Sequence, residues 1–332
     1  MAGNQPSLRN KIVREYIVKF PNAPNAALSR KILKENPLHF VNTESIRTMI
    51  RSITGSKGIA DINNLKDKSL LREKRKSTDY LLPESYANEY TPYEIKQSRI
   101  LIISDLHFPY QNNEAITLAL DYGKEKKVDC IILNGDVFDF SLISKHERDW
   151  RHRNVPQEFE AVKSFFNLLR LHFPHTKIVY KYGNHDERYE KYLYAKAPEI
   201  FDMPEFQLEI ILKLGELKID IVKDKRPIIV GKLTVLHGHE LFGMGGVNPA
   251  RATFTKTMED TLVGHYHRTS SHSEPTMNNR LINVHSQGCL CEMHPLFAPI
   301  NKWNLGFAYV ELNIKTGEYF LENKKIVKGK VY

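Results

Sequence analysis

The sequence predicts an α/β domain built in layers, preceded by a small all-α unit. From residue 98 onwards, short apolar runs of β type alternate with longer segments of helical periodicity, such as 113–126 and 156–171. Before residue 55, apolar residues recur only at helical spacing, in segments that prolines and a glycine bring to an end. These patterns divide the chain into a three-helix module over 1–56, a connector over 57–97 and a large domain over 98–332.

The composition is ordinary for a water-soluble globular protein, with 41% hydrophobic and 26% charged residues. No apolar run approaches the roughly 20 residues that span a bilayer, and the first residues lack the apolar core of a secretory signal. The cysteines are odd in number and have no framework spacing, so we expect reduced thiols. We therefore expect a cytoplasmic protein without a membrane partner, whose oligomeric state the sequence does not indicate.

Positive charge is concentrated at the start of the chain. Residues 1–78 hold 16 basic and 6 acidic residues, so their excess of ten accounts for the whole net charge of +9. Such an asymmetry favours a polyanionic partner, above all nucleic acid, with a solvated basic tail as the alternative.

The module over 1–56 is predicted to form three short helices, of which Asn42 or Thr43 caps the third. The arrangement resembles a helix-turn-helix module. Arg47 and Arg51 are about one turn apart on the third helix, so they share a face that can contact a nucleic-acid backbone or base edges. Docking of a protein partner is the alternative use of such a unit.

Five of the predicted strands are each followed directly by polar residues suited to metal binding. Because ligands of α/β sheets bind outside the carboxyl ends of the strands, we expect these side chains to meet. A glycine precedes Asp136, Asn184 and His265 and permits a tight turn from strand to loop. The strands and the residues after them are 100–104 with Asp105 and His107, 130–133 with Asp136 and Asp139, 178–180 with Asn184 and His185, 233–236 with His237 and His239, and 262–263 with His265 and His267.

Seven of these residues carry donors that suit divalent ions such as Mn, Fe or Zn. They are Asp105, His107, Asp136, Asn184, His237, His265 and His267. Seven donors are too many for one ion, whereas two ions that share a carboxylate fit the number, and metal pairs about 3.5–4 Å apart serve phosphatases and nucleases. Asp105 and His107 stand at i and i+2, as do His265 and His267, so on an extended strand each pair would point the same way.

The motifs D-x-H, G-D-x-x-D, G-N-H-D, H-G-H and G-H-x-H follow one another in this order between residues 98 and 270. This series resembles the calcineurin-like metallophosphoesterase superfamily. The resemblance implies a four-layer fold in which a two-sheet β-sandwich is flanked by helices. The predicted strands 281–284, 307–312 and 319–322 would then complete the second sheet.

The resemblance also implies a role for each residue of the site. One ion would be held by Asp105, His107, Asp136 and His267, and the other by Asp136, Asn184, His237 and His265. A metal-bridging hydroxide would attack in line, with His185 as general acid for the leaving oxygen and Asp139 orienting its ring. The expected cofactors are two divalent metal ions, with Mn favoured and Fe, Zn or Ni as alternatives.

Three further places are candidates for substrate binding. His239 belongs to the H-G-H motif, and Arg148 and Arg151 lie in a basic stretch after the second motif that lines the cleft or is a solvated loop. Arg251 follows a well-capped helix start, where the helix N-terminus would hold an anion unless the helix serves only in packing.

The favoured function is hydrolysis of nucleic acid by a nuclease or phosphodiesterase guided by the basic module. The second motif, GDVFD, resembles that of SbcD-type repair nucleases, and Phe140 stands where Ser/Thr protein phosphatases have an arginine. A second hypothesis is a phosphatase or phosphodiesterase acting on nucleotides or phosphoproteins, with the module docking a partner. A third is a non-catalytic DNA-binding regulator on a phosphoesterase scaffold, which the intact ligand set disfavours.

Overall fold

The structure is a computed structural model that describes residues 7–21, 23–54, 90–144, 154–241 and 246–332. The chain divides into two compact units, Met1–Asn88 and Glu89–Tyr332. Most of the predicted connector lies outside the described residues, but its end contributes a short strand to the larger unit. In the described ranges no helix has both the length and the apolarity to cross a membrane.

The described part of the smaller unit consists of the predicted helices, α1 (Leu8–Lys19), α2 (Asn25–Glu35) and α3 (Thr43–Thr54). The Asn42 side chain caps α3 by accepting a hydrogen bond from the Ser45 backbone N–H at 2.8 Å. The helices and the loop before α3 share one apolar core, made of Val13, Ile17, Leu28, Ile32, Phe40, Ile46, Ile50 and Ile53. The helical periodicity of the first 54 residues thus corresponds to packing among the three helices.

The larger unit alternates strands and helices, as predicted from residue 98. Its helices are α4 (Asn113–Glu125), α5 (Val155–His172), α6 (Asp186–Lys196), α7 (Leu208–Ile211) and α8 (Pro249–Thr257). Its strands are β1 (Tyr93–Glu94), β2 (Arg99–Ile103), β3 (Cys130–Asn134), β4 (Lys177–Lys181), β5 (Ile219–Val222), β6 (Ile228–Val230), β7 (Leu233–Leu236), β8 (Thr261–Val263), β9 (Ser270–Pro275), β10 (Leu281–Ser286), β11 (Gly306–Leu312), β12 (Tyr319–Val327) and β13 (Lys330–Val331).

These strands form two sheets. The first has the order β13-β12-β11-β2-β3-β4-β5, with β2 to β5 parallel and β11 to β13 antiparallel. The second has the order β1-β6-β7-β8-β10-β9, in which β7, β8 and β10 run parallel. The prediction that three late strands complete the second sheet is therefore wrong for two of them. Only β10 joins β8, whereas β11 and β12 extend the first sheet, because β11 covers the edge of β2, which would otherwise expose unpaired backbone groups.

Alternate residues of the central strands face opposite layers. On β2, Leu101 and Ile103 belong to the core beneath the helices, whereas Ile100 and Ile102 belong to the core between the sheets. On the far side of the second sheet, Ala250 of α8 packs against Ile282 and Val284 of β10. The layers are thus helix, sheet, sheet and helix, as the resemblance implied.

Candidate metal centre

The carboxyl ends of β2, β3, β4, β7 and β8 bring the predicted ligands together. Two groups of donors, each with its atoms within 4.8 Å of one another, have Asp136 in common. They are Asp105, His107 and Asp136, and Asp136, His237 and His265. Asp136 therefore contributes a carboxylate oxygen to both groups of donors.

His267 lies next to the first set, and the distances among these four side chains show that they point at a common centre. His267 Nε2 lies 3.1 Å from Asp105 Oδ1 and 3.2 Å from His107 Nε2. His107 Nε2 also lies 3.8 Å from Asp136 Oδ2. All four side chains are buried. Two imidazole nitrogens that approach each other between two buried carboxylates form a donor set that suits a divalent cation.

The second set is centred on His237. Its Nε2 lies 3.2 Å from Asp136 Oδ2 and 3.2 Å from Asn184 Oδ1. Its Nδ1 lies 2.8 Å from the Asn134 backbone carbonyl, which can only accept, so Nδ1 carries the proton of this hydrogen bond. This contact fixes the ring so that Nε2 is the atom presented to the centre, as in many histidine metal ligands.

The ligands do not lie on extended strands, which corrects one expectation. β2 ends at Ile103 and β8 at Val263, and the ligands beyond them have left-handed backbones. The φ values are 56° for Asp105, 50° for His107, 53° for Asp136, 64° for His265 and 52° for His267. Turns, rather than the pleat of a strand, aim these side chains. Such conformations cost about 1–2 kcal/mol per residue and recur at functional sites.

All three predicted glycines are required by close approach, and a Cβ on Gly135 would collide with His237 Nδ1. A Cβ on Gly183 would collide with the Asp136 carboxylate, and a Cβ on Gly264 would lie 2.8 Å from Asp105 Oδ2. Gly135 has a φ of +88° and so also uses the freedom of glycine. The glycines therefore keep the space that the two carboxylates occupy.

The electrostatics of the site fit bound cations. Burial lowers the pKa of His237, but Asp136 outweighs this effect and raises it to about 10. Burial likewise lowers the pKa of His267, and Asp105 raises it to about 9. Burial and the neighbouring His237 lower the pKa of His265 to about 4. The buried carboxylates are thus stabilised by nearby positive charge. Protons on His237 and His267 can supply this charge, and divalent ions can take the place of those protons.

His185 and Asp139 lie beside the first donor set. The Asp139 carboxylate Oδ1 is 3.1 Å from His107 Nδ1 and 3.4 Å from His185 Nδ1. The closer contact of His185 Nδ1 is with the Asp139 backbone carbonyl, at 2.8 Å. Asp139 therefore orients the His185 ring mainly through its main chain, while its carboxylate also holds the ligand His107.

Arg188 is a residue of the site that the sequence motifs did not single out. Its Nη2 lies 2.9 Å from His185 Nε2, and its Nη1 donates to the Asp139 backbone carbonyl at 2.9 Å. A guanidinium only donates, so His185 Nε2 is the acceptor and the ring proton is on Nδ1. The only available signal was position, because Arg188 stands three residues after His185 on the first turn of α6.

Asp186 is a second residue whose role the sequence did not show. Its buried carboxylate accepts hydrogen bonds from four backbone N–H groups and from the Tyr180 hydroxyl. The donors are Asp136 at 2.8 Å, Val137 at 3.2 Å, Phe138 at 3.1 Å, Gly183 at 2.8 Å and Tyr180 at 2.6 Å. One side chain thus ties the loop after β3 to the loop after β4, and both loops carry ligands.

A thiol also lies at the site. Cys291 Sγ is 3.9 Å from His267 Nδ1, and the thiol belongs to a donor group with His107 and His267. Burial raises the pKa of Cys291 well above its usual range, so the group is a thiol in contact with a ligand. The three cysteines are buried and unbridged, as predicted.

Of the four residues predicted to bind substrate, the two that the structure describes do not belong to either donor set. His239 is directed towards Glu187, with 2.9 Å between its Nε2 and the carboxylate, and its ring packs against His237. Arg251 is exposed on α8. It is not among the described residues that line the cleft beside the predicted metal ligands. Arg148 and Arg151 lie outside the described residues.

In the smaller unit, Arg47 and Arg51 do share one face of α3. Both guanidinium groups lie near the Glu44 carboxylate, Arg47 at 2.8 Å and Arg51 at 3.6 Å. The predicted basic face therefore exists, but one carboxylate partly neutralises it.

A buried set of carboxylates and imidazoles at five strand ends, with a histidine and an arginine beside it, defines a metal-dependent phosphoesterase. The chain belongs to the calcineurin-like phosphoesterase family, whose model matches residues 98–288. That span includes every predicted metal ligand. The protein is accordingly a hydrolase of phosphate esters.

Known proteins resemble the chain at low identity. Gene 54 protein of Mycobacterium phage L5 is 25% identical over 182 residues, which are 51% of this chain and 69% of that protein. Vacuolar Protein Sorting 29 from Cryptosporidium parvum is 14% identical, with a TM-score of 0.40, over 71% of this chain and 95% of that chain. Yfce, a phosphoesterase from E. coli, is 12% identical, with a TM-score of 0.32, over 68% of this chain and 98% of that chain.

Proposed function

We propose that the protein is a phosphodiesterase or nuclease that acts on nucleic acid with two divalent ions, Mn²⁺ being favoured. The observation that carries the two-ion proposal is the pair of donor groups that share Asp136. When bound there, two ions would neutralise charge on the phosphoryl oxygens and supply an activated water. The residues around them would bind the ester, orient it and move one proton.

His185 is the proton donor to the leaving oxygen in this proposal. In the structure, its Nδ1 is held by the Asp139 carbonyl and its Nε2 is covered by Arg188. A phosphoryl group offers Arg188 two anionic oxygens that a guanidinium can bind in a bidentate way, whereas His185 offers it a single neutral nitrogen. Once Arg188 turns to the phosphoryl oxygens, His185 Nε2 can carry the proton that the leaving oxygen needs.

Nucleic acid is favoured as the substrate because the basic excess lies in residues 1–78, outside the catalytic residues. The half-exposed arginine pair of α3 supports the same proposal, since guanidinium groups on one helix face suit a phosphate backbone. The second motif adds the resemblance to repair nucleases.

The experiment is a panel of end-labelled single-stranded DNA, double-stranded DNA and RNA of one length, each incubated with the full chain and Mn²⁺. We expect metal-dependent cleavage of at least one polymer. Asp136→Asn should abolish it, and His185→Ala should lower it about 10²–10⁴-fold, the range of a general acid. Asp202→Asn, a change at an exposed carboxylate, should leave it intact.

Two results would change the conclusion. If no phosphoester is hydrolysed with Mn, Fe, Zn or Ni, the catalytic proposal fails. If mononucleotides or phosphopeptides are hydrolysed while every polymer is left whole, the smaller-substrate hypothesis replaces the nuclease.

A further inference from the structure

A cleft of about 420 Å³ opens beside the donor sets. One wall carries the polar residues of the site, including His107, His185 and Arg188. The lining also includes Tyr110, Pro295, Phe297 and Trp303, which together are called the aromatic wall below. The volume lies within the range of about 300–1,000 Å³ that is typical of small-molecule sites. A phosphoryl group alone does not need an aromatic wall, so the cleft has room for a group attached to it.

The aromatic wall is fixed in place by its own contacts. The Trp303 ring lies 4.1 Å from the His267 ring, at an interplanar angle of 65°. The Trp303 backbone N–H donates to the Asn301 side chain at 2.9 Å, and Asn301 in turn donates to the Met293 carbonyl at 2.7 Å. The segment from Met293 to Trp303 lies after the last motif in the sequence. Its internal hydrogen bonds hold the Trp303 indole against the predicted metal ligand His267.

Phe297 extends the apolar surface outwards from Trp303. The two rings lie 6.1 Å apart at 59°, and Phe297 is 55% exposed. An exposed phenyl ring next to the indole, at the mouth of a cleft, suits contact with a flat partner.

In the part of the chain that the structure describes, an unpaired hydroxyl group, that of Ser141, is a separate indication that the cleft binds a ligand. The residue lines the cleft and is only 7% exposed. Its Oγ has no hydrogen-bond partner among the residues that the structure describes. A buried hydroxyl without a partner is unfavourable, and because the Oγ atom itself is almost fully covered, the Ser141 side chain would have to turn towards the cleft for a polar group of a bound molecule to satisfy it.

We propose that the cleft is a subsite for one nucleobase next to the scissile phosphodiester, which stacks on Trp303 and Phe297 and hydrogen-bonds to the Ser141 hydroxyl. This inference rests on the proposed function. A nucleobase combines the flat face that the aromatic wall favours with a polar edge for Ser141. A phosphotyrosine ring has the face but no polar edge, because its oxygen is bonded to the phosphorus. A phosphoserine has neither.

The test uses the full chain with Mn²⁺ and three dinucleotide substrates. The thymidine dinucleotide is compared with two analogues that lack the base on one side or on the other side of the scissile phosphate. We expect loss of one particular base to lower kcat/KM about 10–100-fold, the range of base stacking, and loss of the other base to matter little. The comparison therefore needs no assumption about which side enters the cleft.

Variants assign the effect to the cleft. Trp303→Leu, which keeps bulk beside His267, and Phe297→Ala should each reduce the preference for the base. The loss should be larger for the substrate that carries the base than for the analogue that lacks it. Ser141→Ala should give a smaller loss of the same kind. Ile300→Ala, at a residue of the same segment that is 97% exposed, is the matched control and should behave as the unaltered protein.

Each outcome bears on one proposal or the other. If neither a dinucleotide nor any of the polymers is cleaved, the proposed function fails and the subsite with it. If the polymers are cleaved but no dinucleotide is, the function stands and the subsite next to the scissile phosphate is overturned. If all three are cleaved at equal rates, the function stands and the subsite is overturned. If Trp303→Leu lowers kcat/KM by the same factor for all three substrates, the indole acts only by positioning His267. Preference for a phosphotyrosine peptide, lost in Phe297→Ala, would replace the nucleobase by an aryl phosphate.

Discussion

Asp186 gives the most direct test of how the ligand-bearing loops are held. Asp186→Asn preserves the size of the side chain but replaces one acceptor oxygen by an amide nitrogen. Oδ1 accepts from Val137, Phe138 and Tyr180, and Oδ2 accepts from Asp136 and Gly183. In either orientation of the amide, at least two buried donors therefore face a group that cannot accept.

The expected loss follows from those contacts. Leaving a buried donor unsatisfied costs roughly 1–3 kcal/mol, so two of them give about 2–6 kcal/mol of unfolding free energy. This is a large share of the 5–15 kcal/mol that is typical of a domain. Burial and the nearby Asp136 raise the pKa of Asp186 to about 6, so the comparison should be made at pH 8, where the carboxylate is ionised.

Urea unfolding of the metal-free proteins measures the loss, and calorimetric titration with Mn²⁺ measures what it does to the site. We expect both the unfolding free energy and the Mn²⁺ affinity to fall in Asp186→Asn. Asp202→Asn, at an exposed position, is the control. If Asp186→Asn unfolds within about 0.5 kcal/mol of the unaltered protein, the range of ordinary surface changes, the loops do not depend on this carboxylate.

Three further predictions concern separate parts of the chain. Gly183→Ala places a methyl group against the Asp136 carboxylate and should weaken Mn²⁺ binding, measured calorimetrically, by at least about tenfold. Burial raises the pKa of Glu158 to about 8, so the folded state binds more protons than the unfolded state between about pH 4.5 and pH 8. Stability should therefore fall as the pH rises through this window, by up to a few kcal/mol, and Glu158→Gln should remove the fall in urea unfolding. Arg47→Ala together with Arg51→Ala should weaken binding to DNA and flatten its dependence on salt, because fewer counterions are released.

These predictions have their own controls and failures. Gly215→Ala adds a methyl group that meets nothing within 4 Å, so it should bind Mn²⁺ normally, and equal weakening in both variants would refute the steric argument. A pH profile that is the same with and without Glu158 would mean that another group causes the loss of stability. An unchanged salt slope in the double arginine variant would exclude α3 as the phosphate contact.

The sequence predicted those parts of the site that lie next to a regular element. Each ligand pair follows an apolar run, and the parallel order of β2, β3 and β4 brings the ends of such runs to one edge. Helix starts were predictable for the same local reason, since the Asn248 side chain caps α8 as its position before Pro249 suggests.

No sequence pattern indicated the contacts between segments that are distant along the chain. The left-handed turns at the ligands follow no periodicity, and an extended strand was the simpler expectation. Asp186 ends the G-N-H-D motif and Arg188 follows it by two residues, but only the structure shows that Arg188 covers His185 and that Asp186 holds two loops. Trp303 comes from a segment without motifs, and tertiary packing alone brings it to His267.

The left-handed ligand turns bear on whether the metal site forms before the metals bind. The Asp186 carboxylate holds the turn at Asp136, and backbone hydrogen bonds to the carbonyls of Gly135 and Asp136 hold Asp105 and His107, so these donors should already be in place in the apo protein. Removing metal with a chelator should then lower the melting temperature and leave the far-ultraviolet circular dichroism spectrum unchanged. Free Mn²⁺ at 100 times its dissociation constant should restore about 2.7 kcal/mol for each site. Loss of the β signal in the chelated protein would instead show that the ions, and not the hydrogen bonds of Asp186, organise the strand ends.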